Sequence, residues 1–81
     1  MMSAPSRGDI LIVGAPVGDS SSYSVVDAMT KKSLGGPFAS LLEALQQADK
    51  LRGNGAIWHK SVDGRGRELQ APVKLAMWTK S

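Results

Sequence analysis

The sequence predicts an α+β fold: a small, mainly antiparallel sheet of four or five strands with one helix packed on one face, in ββαββ order. Three patterns favour this class. Apolar residues recur at helical spacing over residues 41–51, four apolar residues occupy positions 10–13, and side chains alternate in character over residues 55–62. We expect residues 1–8 to form a disordered N-terminal lead-in and residues 9–81 to form a single small α+β domain.

The first strand is expected over residues 9–16. Its four consecutive apolar residues are typical of a strand covered on both faces, and Gly14 and Pro16 would stop it. Residues 17–22 combine Gly, Asp and Ser, which favour a turn. A phosphate-binding loop would need a lysine where this chain has Asp19, so we expect a hairpin loop here.

A second strand and a loop are expected before the helix. Residues 23–28 alternate between two faces, as a strand requires. Residues 30–37 contain Lys-Lys and Gly-Gly-Pro, a composition typical of loops. The sequence therefore predicts that the chain leaves the sheet between these strand residues and the helix.

The helix has clear signals at both ends. Ser40 followed three residues later by Glu43 has the spacing of a capping box, in which side chains satisfy backbone N–H groups at the helix start. Gly53 is expected to end the helix in a left-handed conformation. A stripe of small and apolar residues is expected to face the sheet, namely Leu41, Ala44, Leu45, Ala48 and Leu51.

The rest of the chain is expected to return to the sheet. Residues 55–62 predict a third strand and residues 63–66, Asp-Gly-Arg-Gly, a hairpin turn. Residues 67–70 would be a fourth strand. Residues 73–78 alternate again after Pro72, so they would either form a fifth, edge strand or pack on a partner.

A resemblance to a known family rests on residues of the helix and the hairpin. The chain resembles a small bacterial family of unknown function that has two short strands, an F-x-[ST]-x-x-E-A helix and a closing H-x-x-D-G-R hairpin. The resemblance covers residues 23–68 and implies the fold rather than an activity. The chain departs from the family at Tyr23, where a Trp is expected, and at the additional Gly66. The residues that carry the resemblance are Phe38, Ser40, Glu43, Ala44, Ala48, Ile57, Trp58, His59, Asp63, Gly64 and Arg65.

Composition limits the class of protein. With 81 residues and no cysteine, the chain has neither disulfides nor thiolate metal sites. Its longest apolar run is far shorter than the roughly 20 residues that span a bilayer, so we expect no membrane partner and a cytoplasmic protein. A chain of this length has a thin core. Association with a second copy would enlarge that core, which favours a homodimer.

The residues needed for catalysis are sparse. His59 is the only histidine, and no spacing brings Asp63 or Glu68 to it as metal ligands or as an acid–base partner. Asp63 is expected to bond its own turn. We therefore expect no enzyme activity, no metal, no cofactor and no small-molecule substrate. An enzyme using His59 with one of the two carboxylates is the least favoured of three hypotheses.

Two binding hypotheses remain from the sequence. The first is a non-enzymatic interaction module that associates with itself, because alternating apolar residues near the C-terminus are typical of an interaction surface. Its candidate residues are Trp58, Val73, Leu75, Met77 and Trp78. The alternative is nucleic-acid binding, because the whole net charge of +3 lies after residue 54. Its candidate contacts are Lys60, Arg65, Arg67 and Lys74.

Overall fold

A computed structural model describes residues 5–51 and 55–75. It contains one helix packed on a five-stranded mixed sheet, and the predicted fold class is confirmed. No helix in these residues has the length and apolar character needed to cross a membrane. The elements in chain order are β1 (Ile10–Val17), β2 (Ser20–Asp27), β3 (Ser33–Phe38), α1 (Leu41–Leu51), β4 (Ile57–Ser61) and β5 (Val73–Lys74).

The sheet is built around β1. The spatial order of the strands is β3-β2-β1-β4-β5, and every neighbouring pair is antiparallel except β1 and β4, which are parallel. Parallel neighbours cannot be joined by a tight turn. Here the connection from the first part of the sheet to β4 carries α1, which lies on one face and contacts β1, β2, β3 and β4.

The turn between β1 and β2 is shorter than the sequence predicts. Val17 pairs with Ser20, so only Gly18 and Asp19 remain between the strands. The predicted turn over residues 17–22 was therefore too long, because the serines after Asp19 pair with β1. A two-residue connection of this kind matches the twist of the adjoining strands.

The loop predicted over residues 30–37 is wrong, because it contains most of β3. Gly35 pairs with Val25 and Phe38 with Tyr23, with irregular register between them. Gly36 has a φ of 104°, and a Cβ there would lie 3.0 Å from the Tyr23 carbonyl oxygen. Only glycine allows this approach of β3 to β2. The Gly36–Pro37 peptide bond is cis.

The helix begins where the capping residues predict. The Ser40 hydroxyl oxygen accepts a hydrogen bond from the Glu43 backbone N–H at 3.2 Å and donates to the Glu43 carboxylate. Ala44 and Ala48 are fully buried, while Leu51, expected on the buried stripe, is 42% exposed. Gly53, the predicted C-terminal cap, lies outside the described residues.

The core has one part on each face of the sheet. On the helix side, two alanines of α1 pack on four sheet residues, namely Ile10, Ile12, Val25 and Ile57. On the opposite face, Leu11 and Trp58 are buried together with Ala28. Two-sided burial of the apolar segment at positions 10–12 agrees with the strand that the sequence predicts there.

Asp9 is a buried carboxylate at the start of β1. It accepts hydrogen bonds from the backbone N–H groups of Ser6 and Ala56 and from the Trp58 indole N–H, at 2.8–2.9 Å. Burial raises the pKa of Asp9, but these hydrogen bonds and the charge of Lys74 lower it by more, so the pKa lies below its ordinary value of 3.8. Asp9 also anchors Ser6, within the predicted lead-in.

The C-terminal part of the sheet differs from the prediction. Residues 67–70 form one isolated bridge, between Val62 and Glu68, rather than a fourth strand. β5 pairs Val73 with His59, so the tail joins the sheet of its own chain at this point. The remainder of the strand predicted at 73–78, including Met77 and Trp78, lies outside the described residues from residue 76 onward.

Candidate functional site

Trp58 belongs to the interior and not to an association surface. Its side chain is only 4% exposed, and its indole donates a 2.8 Å hydrogen bond to Asp9. A partner could not contact this ring without breaking that buried hydrogen bond. The sequence-based assignment of Trp58 to an interface is therefore corrected.

Of the other candidate interface residues, Val73 and Leu75 lie in the described part of the chain. Leu75 is partly buried against the helix-side core, so its assignment to an interface stays a prediction, whereas Val73 is 51% exposed. Met77 and Trp78 lie outside the described residues. Sequence analysis did not single out Leu69, which is 64% exposed. We refer to Leu69 and Val73 together as the edge patch.

The two side chains of the edge patch are neighbours along β4. Val73 lies opposite His59, and the Leu69 N–H donates to the Ser61 carbonyl, which places Leu69 opposite Ser61. Residues two apart on a strand lie on the same face about 7 Å apart. The sequence did not contain this signal, because the predicted turn over residues 63–66 would pair residue 62 with 67 and residue 60 with 69, whereas Val62 pairs with Glu68.

Backbone pairing at this edge is interrupted. Between Leu69 and Val73, residues 70–72 lie opposite the single residue Lys60, which makes a bulge that includes Pro72. Proline lacks an N–H donor, and bulged edges are poor templates for another strand. Any contact at the edge patch therefore has to use side chains rather than an extended sheet.

The basic residues are partly neutralised within the chain. Lys60 Nζ lies 3.6 Å from Glu68 Oε1, and Arg67 Nε donates to Asp63 Oδ2 at 2.9 Å. Lys74 pairs with Trp58, so it lies on the face opposite the helix, whereas Arg65 is exposed in the hairpin turn. Lys60 and Lys74 therefore share the face opposite the helix on neighbouring strands, while Arg65 and Arg67 lie in and beside the hairpin turn.

Asp63 organises the hairpin, as the sequence predicts. Its Oδ1 accepts hydrogen bonds from the backbone N–H groups of Arg65 and Arg67. These hydrogen bonds hold the pKa of the Asp63 carboxyl below its ordinary value. The carboxylate is thus occupied by its own turn.

A cleft of about 390 Å³ opens at the carboxyl ends of β1 and β4. Its walls include three hydroxyl-bearing residues, Ser21, Tyr23 and Ser61, and apolar surface from Pro16 and Leu69. The hairpin at Asp63 forms another wall. The carboxyl ends of parallel strands are common positions for ligand sites in sheets with helical connections.

Gly14 makes room for two aromatic rings that line this cleft. Tyr23 pairs with Gly14 from one side, and His59 lies on the strand at its other side. Because Gly14 has no side chain, the two rings approach each other across β1, with centroids 6.4 Å apart and planes tilted by 39°. A Cβ on Gly14 would lie 3.0 Å from Tyr23 Cε1 and 3.4 Å from His59 Nε2.

His59 is partly buried, and its Nε2 atom has no hydrogen-bond partner in the described part of the chain. Burial lowers the pKa of the imidazole below its ordinary value of 6.5, so the ring is neutral at pH 7. Within residues 5–51 and 55–75, no three side chains of the His, Cys, Asp and Glu types are grouped as metal ligands.

Comparison with known proteins finds no matching family model, curated protein or solved structure. The resemblance described from the helix and hairpin residues therefore stays a prediction. In this chain three residues separate His59 from Asp63, one more than the family's hairpin pattern has. The assignment of function rests on the geometry of the edge patch and the cleft.

Proposed function

We propose that this chain is a non-enzymatic interaction module that binds a second copy of itself through the edge patch. The observation that supports this most directly is the exposure of Leu69 and Val73, at 64% and 51%, side by side on one edge of the sheet. Adjacent exposed apolar side chains favour association, because contact removes their surface from water.

The charges around the edge patch favour a second copy as the occupant. The Arg67–Asp63 pair places both signs of charge in the hairpin beside Leu69, while the Lys60–Glu68 pair lies on the other face of the sheet. In a two-fold dimer each surface meets itself, so a surface carrying one sign would be repelled. A border with paired charges avoids that repulsion and can exchange ion pairs across the two-fold axis.

Interrupted edge pairing limits how two copies can meet. The bulge at residues 70–72 opposes growth of the sheet from one copy into the next. Association of Leu69 and Val73 with the same residues of a second copy, about a two-fold axis, would close at two copies.

Light scattering coupled to size-exclusion chromatography tests the proposal. The chain has a mass of 8.5 kDa, and we expect twice that mass at high concentration. Leu69→Gln should weaken dimerisation by about tenfold or more, because it removes an apolar contact worth at least about 1.4 kcal/mol. The matched control is Leu42→Gln, at a helix leucine that is 56% exposed.

Two results would remove the dimer proposal. One is a monomer at every concentration of the unaltered chain. The other is an equal loss of dimer in the Leu69→Gln and Leu42→Gln variants, because the edge patch would then have no special part in association. Circular dichroism of each variant checks that the fold is retained.

Nucleic-acid binding is the second candidate function. Lys74 and the exposed Arg65 support it, while the ion pairs of Lys60 and Arg67 oppose it. Counterion release would make such binding fall steeply with added salt. Fluorescence anisotropy with labelled single- and double-stranded oligonucleotides at two salt concentrations tests it, and no binding to either at low salt would exclude this function. The cytoplasmic location also stays a prediction from the sequence.

A further inference from the structure

The edge patch adjoins the only histidine of the chain. Leu69 lines the same cleft as His59, and Val73 is the residue of β5 that pairs with His59. Paired residues of neighbouring strands project on the same face of the sheet, so Val73 and His59 lie side by side. A second copy seated on Leu69 and Val73 would therefore remove water from the side of the cleft where His59 lies.

His59 is poorly placed to hold a proton on both ring nitrogens. Its Nε2 atom is covered and has no hydrogen-bond partner among the described residues. The Tyr23 ring packs beside it, with the two ring centroids 6.4 Å apart. An imidazolium carries a positive charge and two N–H donors. Protonation would therefore place a charge and a donor without an acceptor at a covered position, which costs free energy.

The groups that face His59 do little to offset this cost. The Tyr23 phenol of β2 is an uncharged group, and the Asp63 carboxylate of the hairpin already accepts hydrogen bonds from its own turn. In α1 the Glu43 carboxylate accepts from the helix cap. The other described residues that pair with His59 or pack α1 on this face are uncharged, namely Ile12, Val73, Ala44 and Ala48. Burial is accordingly what lowers the pKa of His59.

We infer that protonation of His59 opposes self-association through the edge patch, so that the dimer forms at neutral pH and separates in mild acid. This inference rests on the dimer proposed above. Contact at Leu69 and Val73 deepens the burial of His59 and disfavours its charged form further. Linkage is reciprocal, so a dimer that weakens proton binding is itself weakened when the proton is bound.

The sign and size of the effect follow from the pKa of His59 in the two states. Deeper burial puts the pKa in the dimer below that of the separate folded chain. At a pH between these two values the separate chains bind more protons, so a falling pH favours separation. Each pKa unit between the states changes the dissociation constant by up to about tenfold per histidine, and a dimer contains two histidines.

Light scattering over a range of protein concentrations measures the dissociation constant at each pH. We expect the constant to rise about tenfold or more between about pH 7.5 and about pH 5.5. The variant His59→Phe keeps a ring but has no proton to gain, so its constant should be the same at both pH values. Circular dichroism checks that the fold is retained at each pH, because acid also lowers the stability of the folded chain.

Nuclear magnetic resonance of the unaltered chain gives a second readout that does not depend on how the His59 variant folds. His59 is the only histidine, so its ring signals can be followed through a pH titration without ambiguity. The pKa of His59 should be lower at high protein concentration, where the dimer forms, than at low concentration. Leu69→Gln should abolish this concentration dependence, whereas the matched control Leu42→Gln should retain it.

Three results would overturn the inference and leave the dimer proposal standing. The first is a dimer whose dissociation constant is the same at both pH values. The second is a pKa of His59 that stays constant with concentration while the measured mass doubles. The third is a pH dependence that persists unchanged in His59→Phe. A chain that is a monomer at every concentration would instead remove both proposals.

Discussion

The Trp58 indole N–H donates a 2.8 Å hydrogen bond to the Asp9 carboxylate, across 49 positions of the chain. The same carboxylate accepts the Ala56 N–H at 2.9 Å, so one side chain at the start of β1 holds both the entry to β4 and its central aromatic residue. Hydrogen bonds to a buried charge are worth more than those between neutral groups. This contact therefore sets the alignment of the parallel β1–β4 pair.

We predict that Asp9→Asn lowers the free energy of unfolding by about 2–3 kcal/mol, because an amide NH₂ group would face N–H donors that now meet a carboxylate. Trp58→Phe should cost about 1–3 kcal/mol, since it removes one donor and some ring volume. Urea unfolding followed by circular dichroism, with sulfate added to stabilise the variants, measures both.

The double variant separates the direct contact from other effects. If the hydrogen bond couples the two residues, the double variant should be more stable than the sum of the single losses predicts, by about 1–2 kcal/mol. Purely additive losses would contradict the coupling. Asp19→Asn, in the exposed turn between β1 and β2, is the matched control and should change stability by less than about 0.5 kcal/mol.

Replacing Gly14 should disturb the two rings beside it. We expect Gly14→Ala to lower the free energy of unfolding by about 1 kcal/mol, because its Cβ would meet Tyr23 carbons at 3.0 and 3.2 Å. Gly64→Ala is the control: a Cβ there has nothing within 4 Å, and Gly64 has no positive φ. Thermal unfolding compares the two, and equal stability would show that Tyr23 can move without cost.

Acid should destabilise the protein through His59 before its carboxylates are protonated. Burial places the pKa of His59 in the folded chain below its unfolded value of about 6.5. At a pH between these two pKa values the unfolded chain binds more protons than the folded chain, so stability falls as the pH drops below about 6.5. Asp9, with a folded pKa below 3.8, adds its own loss only at more acidic pH. Urea unfolding at a series of pH values measures the first loss, which should be absent in His59→Phe.

The helix cap gives a local prediction. Ser40→Ala removes the acceptor for the Glu43 N–H and should cost about 1 kcal/mol of stability. Ser40→Asp retains an acceptor and should cost much less. Urea unfolding of the two variants checks this, and equal losses would mean that the cap hydrogen bond does not stabilise α1.

Local signals in the sequence predict the helix and the first strand well. The Ser40–Glu43 spacing marks the start of α1, and the apolar segment from Ile10 marks a strand buried on both sides. These features depend on residues close together in the chain. β3 could not be predicted in the same way, because Gly36 and Pro37 are typical of loops and become strand residues only through pairing with β2.

The candidate site depends more strongly on tertiary structure. Spacing alone could not show that Trp58 faces a buried carboxylate, because Asp9 is distant in the chain. The same holds for the two rings over Gly14, because Tyr23 and His59 come from strands on opposite sides of β1. By contrast, the role of Asp63 in its own hairpin was predictable, because its donors lie within four residues.

β1 and its parallel partner β4 are far apart in the sequence, and this has a consequence during synthesis. β1, β2 and β3 follow one another closely, but Ile10 pairs with Ile57, a residue that leaves the ribosome much later. Until then the most apolar strand of the protein is an open edge, with unpaired backbone groups that another nascent chain could join. The period before β4 emerges is therefore when this edge is most open to pairing with another chain.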